Sequence, residues 1–230
     1  MAIPVAVMFT GGKDSTYALH WAVLHAFDVK VLLSVKPKRK DSWMFHYPLV
    51  EVTKLQAQAL EIPHELHYVS GVKGREIDEF KEILLDIKER YGIRGLVTGA
   101  LLSDYQRMNF NIVCEELNLK VYSPLWRKNQ ERYMIELVES GFKIIITAIH
   151  SMGIPVRLLG KVLSISDIHD IIRLSRRYGF NPAFEGGEAE TLVVDAPLFK
   201  RRIEIRKSRV IREGPYSYRL LLEDVRLTEK

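Results

Sequence analysis

The sequence has very little cysteine and no long hydrophobic run. Of its 230 residues only Cys114 is a cysteine, which excludes an internal disulfide and indicates a reducing compartment. A single thiol also weakens persulfide-relay chemistry, which usually needs a second one. No apolar stretch reaches the length of a membrane span, and the first residues lack the segments of a signal peptide. We therefore expect a cytoplasmic protein that does not bind a membrane.

Neither positive nor negative residues are in large excess. Lysine and arginine number 34 against 29 aspartates and glutamates, a formal net charge of +5. This moderate excess suits an anionic ligand or a partner near RNA, and it requires no direct contact with nucleic acid. The apolar fraction of 47% and the charged fraction of 27% are ordinary for a globular protein. The length allows one large domain or two smaller ones.

A glycine-rich segment follows the first apolar run at residues 3–7. It reads Met-Phe-Thr-Gly-Gly-Lys-Asp-Ser-Thr over residues 8–16. Glycines let backbone N–H groups approach oxyanions, and a helix that starts near Asp14 points further donors at the same place. Lysine adds a charge and the hydroxyls add donors. The pattern predicts a polyphosphate-binding turn that consists of Thr10, Gly11, Gly12, Lys13, Asp14, Ser15 and Thr16.

Two other phosphate-binding patterns are absent from the sequence. A Walker loop is excluded because the two glycines are adjacent and Asp14 follows Lys13. Gly160-Lys161 does not qualify either, since Val162 stands where a hydroxyl is required. No Gly-x-Gly-x-x-Gly fingerprint occurs. The alternative interpretation of the segment is an ordinary tight strand-to-helix turn, which leaves its charge and hydroxyls unexplained.

The first half of the chain alternates strands and helices. Apolar patterns predict strands over residues 3–10, 29–35, 64–69, 96–99 and 119–122, and helices over 14–26, 48–60, 76–91 and 103–117. Such alternation indicates a parallel sheet with helices on both faces, a Rossmann-like α/β fold. Ligands of these sheets bind at the carboxyl ends of strands where the strand order reverses. We therefore expect Thr10, Val35 and Gly99 to converge on one crevice.

The second half has a mixed pattern and predicts a smaller α+β domain. Helices are expected over residues 134–139 and 168–178, strands over 142–149 and 191–194, and a hairpin of 202–212 and 216–226 around Gly214-Pro215. Polar residues cluster at 127–131. We place the domain boundary there, with domains of residues 1–128 and 129–230, and expect the second domain to complete a substrate cleft.

A second informative segment ends one strand and opens a helix. Residues 99–107 read Gly-Ala-Leu-Leu-Ser-Asp-Tyr-Gln-Arg. Ser103 and Gln106 have the spacing of a capping box, which explains both without a ligand. That explanation leaves out Arg107, whose guanidinium is suited to clamping phosphate or carboxylate. We take Arg107 as a candidate catalytic residue and five others as candidate nucleotide contacts: Gly99, Ser103, Asp104, Tyr105 and Gln106.

A third segment gathers three carboxylates around two glycines. Residues 185–191 read Glu-Gly-Gly-Glu-Ala-Glu-Thr, followed by Leu-Val-Val-Asp-Ala-Pro. Carboxylates are costly to bury without cations or donors. A Mg²⁺ site, a general base for ammonia, a site for a cationic substrate and a solvated acidic turn all remain open. The candidates are Glu185, Gly186 and Gly187 for binding, and Glu188 and Glu190 for catalysis.

The three segments together resemble a known family. The first is similar to the PP-loop of ATP pyrophosphatases, usually Ser-Gly-Gly-x-Asp-Ser. All three resemble the diphthine–ammonia ligase family, whose patterns are Ser-Gly-Gly-Lys-Asp-Ser, then Gly-x-x-x-Ser-x-Tyr-Gln-Arg with a later Pro-Leu-Trp, then Glu-Gly-Gly-Glu-Tyr-Glu-Thr-Leu-Val-x-Asp-Ala-Pro. This chain has Pro124-Leu125-Trp126 for the later element and a weaker match around His46. It departs at Thr10 and Ala189, and at residues 108–111.

The resemblance implies a reaction and its participants. The reaction is ATP-dependent amidation of diphthine on translation elongation factor 2 with ammonia, through an adenylated carboxylate that yields AMP and pyrophosphate. ATP and Mg²⁺ are then the cofactors, with Asp14 holding the metal and His46 among the nucleotide contacts. Lys13 and Arg107 supply counter-charge, and Glu188 or Glu190 acts on ammonium or on the trimethylammonium group.

Two other functions remain open at this point. One is a different PP-loop ATP pyrophosphatase that modifies tRNA or a small carboxylate. The other is an adenine-nucleotide-binding protein without catalytic activity. The sequence also leaves open whether the protein forms a homo-oligomer.

Overall fold

The computed structural model describes residues 2–39 and 50–230. The chain divides into two compact units. The N-terminal unit consists of Met1–Thr10 and Asp14–Arg127, and the C-terminal unit consists of Gly11–Lys13 and Lys128–Lys230. Each unit contains one sheet. No helix within the described ranges is both long and apolar enough to cross a bilayer.

The sheet of the N-terminal unit is parallel throughout. Its five strands are β1 (Pro4–Met8), β2 (Asp28–Pro37), β3 (His64–Val69), β4 (Gly95–Val97) and β5 (Lys120–Tyr122). Every neighbouring pair is parallel. The strand order is β3-β2-β1-β4-β5, so the order reverses between β1 and β4. The predicted α/β class is therefore confirmed.

Within the described part of this unit, four helices cover both faces of the sheet: α1 (Lys13–Leu24), α2 (Val50–Leu60), α3 (Arg75–Tyr91) and α4 (Asp104–Glu116). Alternate strand residues such as Ala6 and Leu33 lie in one buried cluster with residues of α3 and α4. Ser34, on the opposite face, places its hydroxyl 2.8 Å from His64 Nε2, and Thr53 Oγ1 of α2 lies 3.2 Å from the same nitrogen. Period-two alternation along the strands thus gives each face its own helices.

The C-terminal unit contains an antiparallel sheet, two α-helices and a short 3₁₀ helix (Val156–Leu158). Its elements are α5 (Gln130–Glu139), β6 (Lys143–Ile149), α6 (Ile165–Tyr178), β7 (Ala189–Asp195), β8 (Arg202–Arg212) and β9 (Tyr218–Thr228). The strand order is β7-β6-β9-β8, and each neighbouring pair is antiparallel. This arrangement agrees with the predicted α+β class.

The β8–β9 hairpin carries most of the charge imbalance. Residues 200–230 contain ten lysines and arginines and five acidic residues, so their net charge equals the +5 of the whole chain. Five cations on β8 are exposed: Arg202, Arg206, Lys207, Arg209 and Arg212. Glu223 pairs with Lys207 and Arg209, both at 2.9 Å. Such exposed pairs contribute little to stability.

A capping box fixes the start of α6. Asp167 N donates to Ser164 Oγ at 3.2 Å, and Ser164 N donates to Asp167 Oδ2 at 2.9 Å. Lys161 Nζ lies 2.6 Å from the other carboxylate oxygen of Asp167. Burial raises the pKa of the Asp167 carboxyl, but hydrogen bonds from Lys161 and Ser164 outweigh burial and hold that pKa at about 2. The ionised form of Asp167 is therefore part of the native state.

We expect Asp167→Asn to lower the free energy of unfolding at neutral pH by about 1–3 kcal/mol, because the substitution removes a charged hydrogen-bond acceptor and weakens the cap. The folded pKa lies below the ordinary value of 3.8. The stabilisation is therefore present above pH 3.8 and is lost as the pH falls toward 2. Urea unfolding of both proteins across this range measures the difference.

Asp170→Asn is the matched control on the same helix. Asp170 is partly exposed and forms ion pairs with Arg173 at 2.9 Å and Arg157 at 3.7 Å. Its loss should cost no more than about 0.5 kcal/mol. Equal effects of the two substitutions would contradict the importance of the cap.

Candidate functional site

The turn after β1 is the first part of the site. Thr10 N donates to Ser15 Oγ at 3.1 Å, and the two hydroxyl oxygens are also 3.1 Å apart. Gly11 has φ +77°, a left-handed conformation that glycine adopts without strain. Because α1 begins at Lys13, its first amides are directed toward this turn. The strand–turn–helix form predicted for residues 10–16 is present, while phosphate binding stays a prediction.

The middle of this turn belongs to the C-terminal unit. Lys13 N donates to Thr191 Oγ1 of β7 at 3.2 Å, and Val193 N donates to Gly11 O at 3.0 Å. Lys13 is only 3% exposed. Its Nζ lies 5.9 Å from the centre of the Phe184 ring, within range of a cation–π interaction. The charge of Lys13 is thus held at a defined place before any ligand binds.

Gly99 brings the end of β4 against the start of α1. A Cβ atom at residue 99 would lie 2.8 Å from both Asp14 C and Ser15 N, a distance that real Cβ atoms essentially never show. The first and second sequence segments therefore meet where the strand order reverses, as predicted. Val35 is a correction: it lies inside β2, because Lys36 and Pro37 continue the pairing with β3.

Arg107 stands one turn into α4, above Trp126. Its guanidinium carbon lies 4.5 Å from the centre of the indole ring, and its Nη2 lies 3.6 Å from Asp104 Oδ1. Its Nε is buried and finds no hydrogen-bond partner among the residues that the structure describes. A buried N–H without an acceptor is costly, and an incoming oxyanion would satisfy it. Trp126 belongs to the Pro-Leu-Trp motif, but the sequence did not predict its contact with Arg107.

The other candidates at the start of α4 have structural contacts. The Ser103 hydroxyl caps the helix by accepting a hydrogen bond from Gln106 N at 3.3 Å. The Tyr105 side chain packs against the buried cluster of the N-terminal unit. Asp104, as noted, pairs with Arg107. These contacts explain the positions of the residues, and their contacts with a nucleotide stay predictions.

Glu188 organises the loop that precedes β7. Its two carboxylate oxygens accept hydrogen bonds from Asn181 N and Gly186 N, both at 2.8 Å. A Cβ atom on Gly186 would lie 2.7 Å from Glu188 Oε1, and Gly187 has φ +80°. The two glycines are therefore needed for the loop to fold around this carboxylate. Glu185 belongs to the same loop.

Glu190 lies on β7 in a different environment. Its carboxylate is 3.8 Å from His150 Nε2 and 3.6 Å from Arg219 Nη1. His150 Nδ1 is in turn 3.2 Å from Ser217 Oγ. The sequence did not predict the contacts of Glu190 with His150 and Arg219, because only the fold brings β6, β7 and β9 together. Period-two alternation places the side chains of Glu190 and Thr191 on opposite faces of the sheet.

Asp14 fits a nucleotide-bound Mg²⁺ better than a protein-enclosed metal. Within residues 2–39 and 50–230, no group of three or more His, Cys, Asp or Glu side chains could hold a metal ion. Mg²⁺ bound with a nucleotide needs only one or two carboxylates, because phosphates and waters complete its shell. Asp14, in the first turn of α1, would be such a carboxylate. His46 lies outside the described residues.

Two surface cavities lie away from these residues. One of about 540 Å³ is lined by the end of α4 and by β5, and includes Glu115 and Lys120. The other, of about 450 Å³, is lined by α2 and the start of β3, and includes Lys54 and His64. Neither cavity contains a residue that the sequence singled out for binding or catalysis.

We expect Gly99→Ala to destabilise the protein by about 1–3 kcal/mol, because the new methyl group would displace the start of α1. Gly214→Ala is the control, since a Cβ atom at residue 214 would lie 3.5 Å from Ser217 Cβ, an ordinary van der Waals contact. Urea unfolding measures both. Wild-type stability in Gly99→Ala would contradict the close approach.

Most of the chain is similar to known proteins. Residues 3–121 match the model of the diphthamide synthase N-terminal domain, and residues 129–221 match that of the diphthamide synthase C-terminal domain. The diphthine–ammonia ligase of Mus musculus is 32% identical over 250 residues, covering 98% of this chain and 93% of the relative. That of Homo sapiens is 31% identical over 226 residues, covering 90% and 84%. The enzyme of that name in Schizosaccharomyces pombe is 31% identical over 221 residues, covering 89% of this chain and 36% of the relative.

Proposed function

The chain belongs to the diphthamide synthase family, and from that premise we propose that it catalyses the ATP-dependent amidation of diphthine on translation elongation factor 2. Ammonia is the nitrogen donor, and AMP and pyrophosphate are the products. The observation that carries the proposal is the glycine turn at the reversal of strand order, where Gly99 meets the start of α1.

The chemistry requires activation of the acceptor. A carboxylate resists attack by ammonia, because oxide would have to leave. Adenylation converts that oxygen into part of AMP, which leaves readily. The protein must then stabilise the negative charge that grows on the departing pyrophosphate, and preorganised N–H donors and cations do this.

We assign the charge-stabilising roles to residues of the first two segments. Lys13 and Arg107 supply positive charge, and the buried Nε of Arg107 is a donor that lacks an acceptor among the described residues. Asp14 would hold Mg²⁺, which neutralises phosphate charge when bound. The backbone and hydroxyls of residues 10–16 would surround the phosphates.

The acidic segment would serve the second half of the reaction. Both oxygens of Glu188 are engaged by backbone amides, which favours a loop-forming role for this residue. Glu190 is the better candidate to accept a proton from the attacking ammonia or to contact the trimethylammonium group. Its neighbours His150 and Arg219 hold the carboxylate in place.

The decisive assay combines the protein with ATP, ammonium and elongation factor 2 that carries diphthine. We expect AMP, pyrophosphate and the mass change of a carboxylate that becomes a carboxamide. Lys13→Ala should lower the rate of AMP formation by about 100-fold, because it removes a charge directed at the phosphates. Lys143→Ala, at an exposed position on β6, is the charge-matched control. AMP formation by Lys13→Ala at the wild-type rate would refute the assignment of the loop.

The same assay distinguishes the alternatives. Transfer of label to tRNA or to a small carboxylate would replace the proposed acceptor. ATP binding without AMP formation, with every acceptor present, would identify a non-catalytic nucleotide-binding protein. Thiolation is disfavoured, since burial raises the pKa of the Cys114 thiol to about 12 and leaves little thiolate at neutral pH.

Replacing Glu188 and replacing Glu190 should have different effects when ATP–pyrophosphate exchange and amide formation are measured separately. We expect Glu190→Gln to retain ATP–pyrophosphate exchange with the acceptor present and to lose amide formation, because only the later step needs its carboxylate. Glu188→Gln should instead lower the free energy of unfolding by about 1–3 kcal/mol, since one amide loses a charged acceptor. An unaltered rate of amidation in both variants would show that neither carboxylate takes part in the reaction.

A further inference from the structure

Strand β7 holds both ends of the double-glycine turn. Lys13 N donates to Thr191 Oγ1 at 3.2 Å, and Val193 N donates to Gly11 O at 3.0 Å. The two bonds enclose Gly12. The hydroxyl that accepts from Lys13 is 178 residues away in sequence. The turn is thus tied to a strand, in addition to its own internal bonds.

The position of β7 makes this attachment available. β7 is the first strand in the order of its sheet, so the backbone groups on its outer side are not used by a neighbouring strand of that sheet. Residues 191 and 193 are two apart, and their side chains therefore share one face. The turn occupies the outer side of β7 at this point.

The attachment matters because the turn is intrinsically flexible. Two adjacent glycines lose more conformational freedom on ordering than any other pair of residues. A binding turn that is ordered in advance does not incur that loss when its ligand arrives. The β-branched Thr191 has few side-chain rotamers, and its hydroxyl is therefore a well-defined acceptor.

We propose that Thr191 is the positioning residue of the phosphate-binding turn, an inference that rests on the proposed function. Its hydroxyl accepts a hydrogen bond from the Lys13 amide and thereby holds the double-glycine turn against β7. Thr191 itself does not touch the nucleotide. It acts through Lys13: the hydrogen bond holds the backbone of the residue that carries the charged side chain.

The test uses the full chain and four variants. Thr191→Val and Thr191→Ala remove the acceptor, while Thr191→Ser keeps it. Thr147→Val is the matched control on the adjacent strand β6, since Thr147 is 2% exposed and its Oγ1 has no hydrogen-bond partner among the described residues. Calorimetric titration with pyrophosphate, ATP and AMP measures binding. Amide hydrogen exchange of residues 10–16 without nucleotide measures the attachment itself.

We expect exchange at the Lys13 amide to accelerate about five- to tenfold in Thr191→Val and Thr191→Ala, the factor for loss of one hydrogen bond. The dissociation constants for pyrophosphate and ATP should rise by about the same factor. That for AMP should stay within about twofold, because AMP lacks the phosphates that the turn binds. Thr191→Ser should restore wild-type values, and Thr147→Val should not depart from them.

Three outcomes would overturn the inference. Wild-type exchange and wild-type pyrophosphate binding in Thr191→Val would refute it while leaving the proposed function intact. An equal loss of affinity for AMP, ATP and pyrophosphate would show a merely structural role. A wild-type protein that binds neither ATP nor pyrophosphate would refute the proposed function as well.

Discussion

The close approach of Gly99 to the start of α1 is the constraint on which the arrangement of the site depends. β4 lies beside β1 on the side where the strand order reverses, and its end reaches the backbone of Asp14 and Ser15. Any side chain at residue 99 would separate the two segments. A reversal of strand order creates a crevice in parallel sheets. Because Gly99 has no Cβ, the end of β4 can lie against the start of α1 at this crevice. The segment that continues from Gly99 leads to Ser103, which caps α4.

Several candidate residues of the site stabilise the fold. Ser15 accepts a hydrogen bond from Thr10 N, Ser103 caps α4, and Glu188 closes the loop before β7. Each is a polar group whose hydrogen bonds are made before a ligand binds. Arg107 differs, since its Nε is buried and has no acceptor within the part of the chain that the structure describes. A site with most groups satisfied and one donor left over is preorganised for an anion.

Much of the fold was predictable from the sequence because local signals agreed with one another. Apolar runs indicated the strands, and β3 (His64–Val69) and β8 (Arg202–Arg212) have the predicted bounds. Gly92 ends α3 in a left-handed conformation, directly after the helix predicted over residues 76–91. The resemblance to the diphthine–ammonia ligase family, based on three motifs, is confirmed by the two family models and by relatives at about 31% identity.

The contacts between distant segments were not predictable. Arg107 over Trp126, Thr191 with Lys13, and Glu190 with His150 and Arg219 each join different elements. No local periodicity encodes such pairs, since they depend on strand order and on side-chain rotamers. The error at Val35 has a local cause: a lysine and a proline look like a loop, but both extend β2 along β3. The roles of Asp14 and of the acidic segment stay predictions.

The cations on β8 have a consequence for how copies of the protein meet. β8 is the last strand of its sheet, and all five of its cations are exposed, with register shifts beside Lys207. A long terminal strand is a template for pairing with another chain, and lysines, arginines and bulges are the usual means of blocking it. Two copies that met along this strand would bring rows of like charge together. The exposed cations and the register shifts therefore oppose pairing of β8 with the same strand of a second copy.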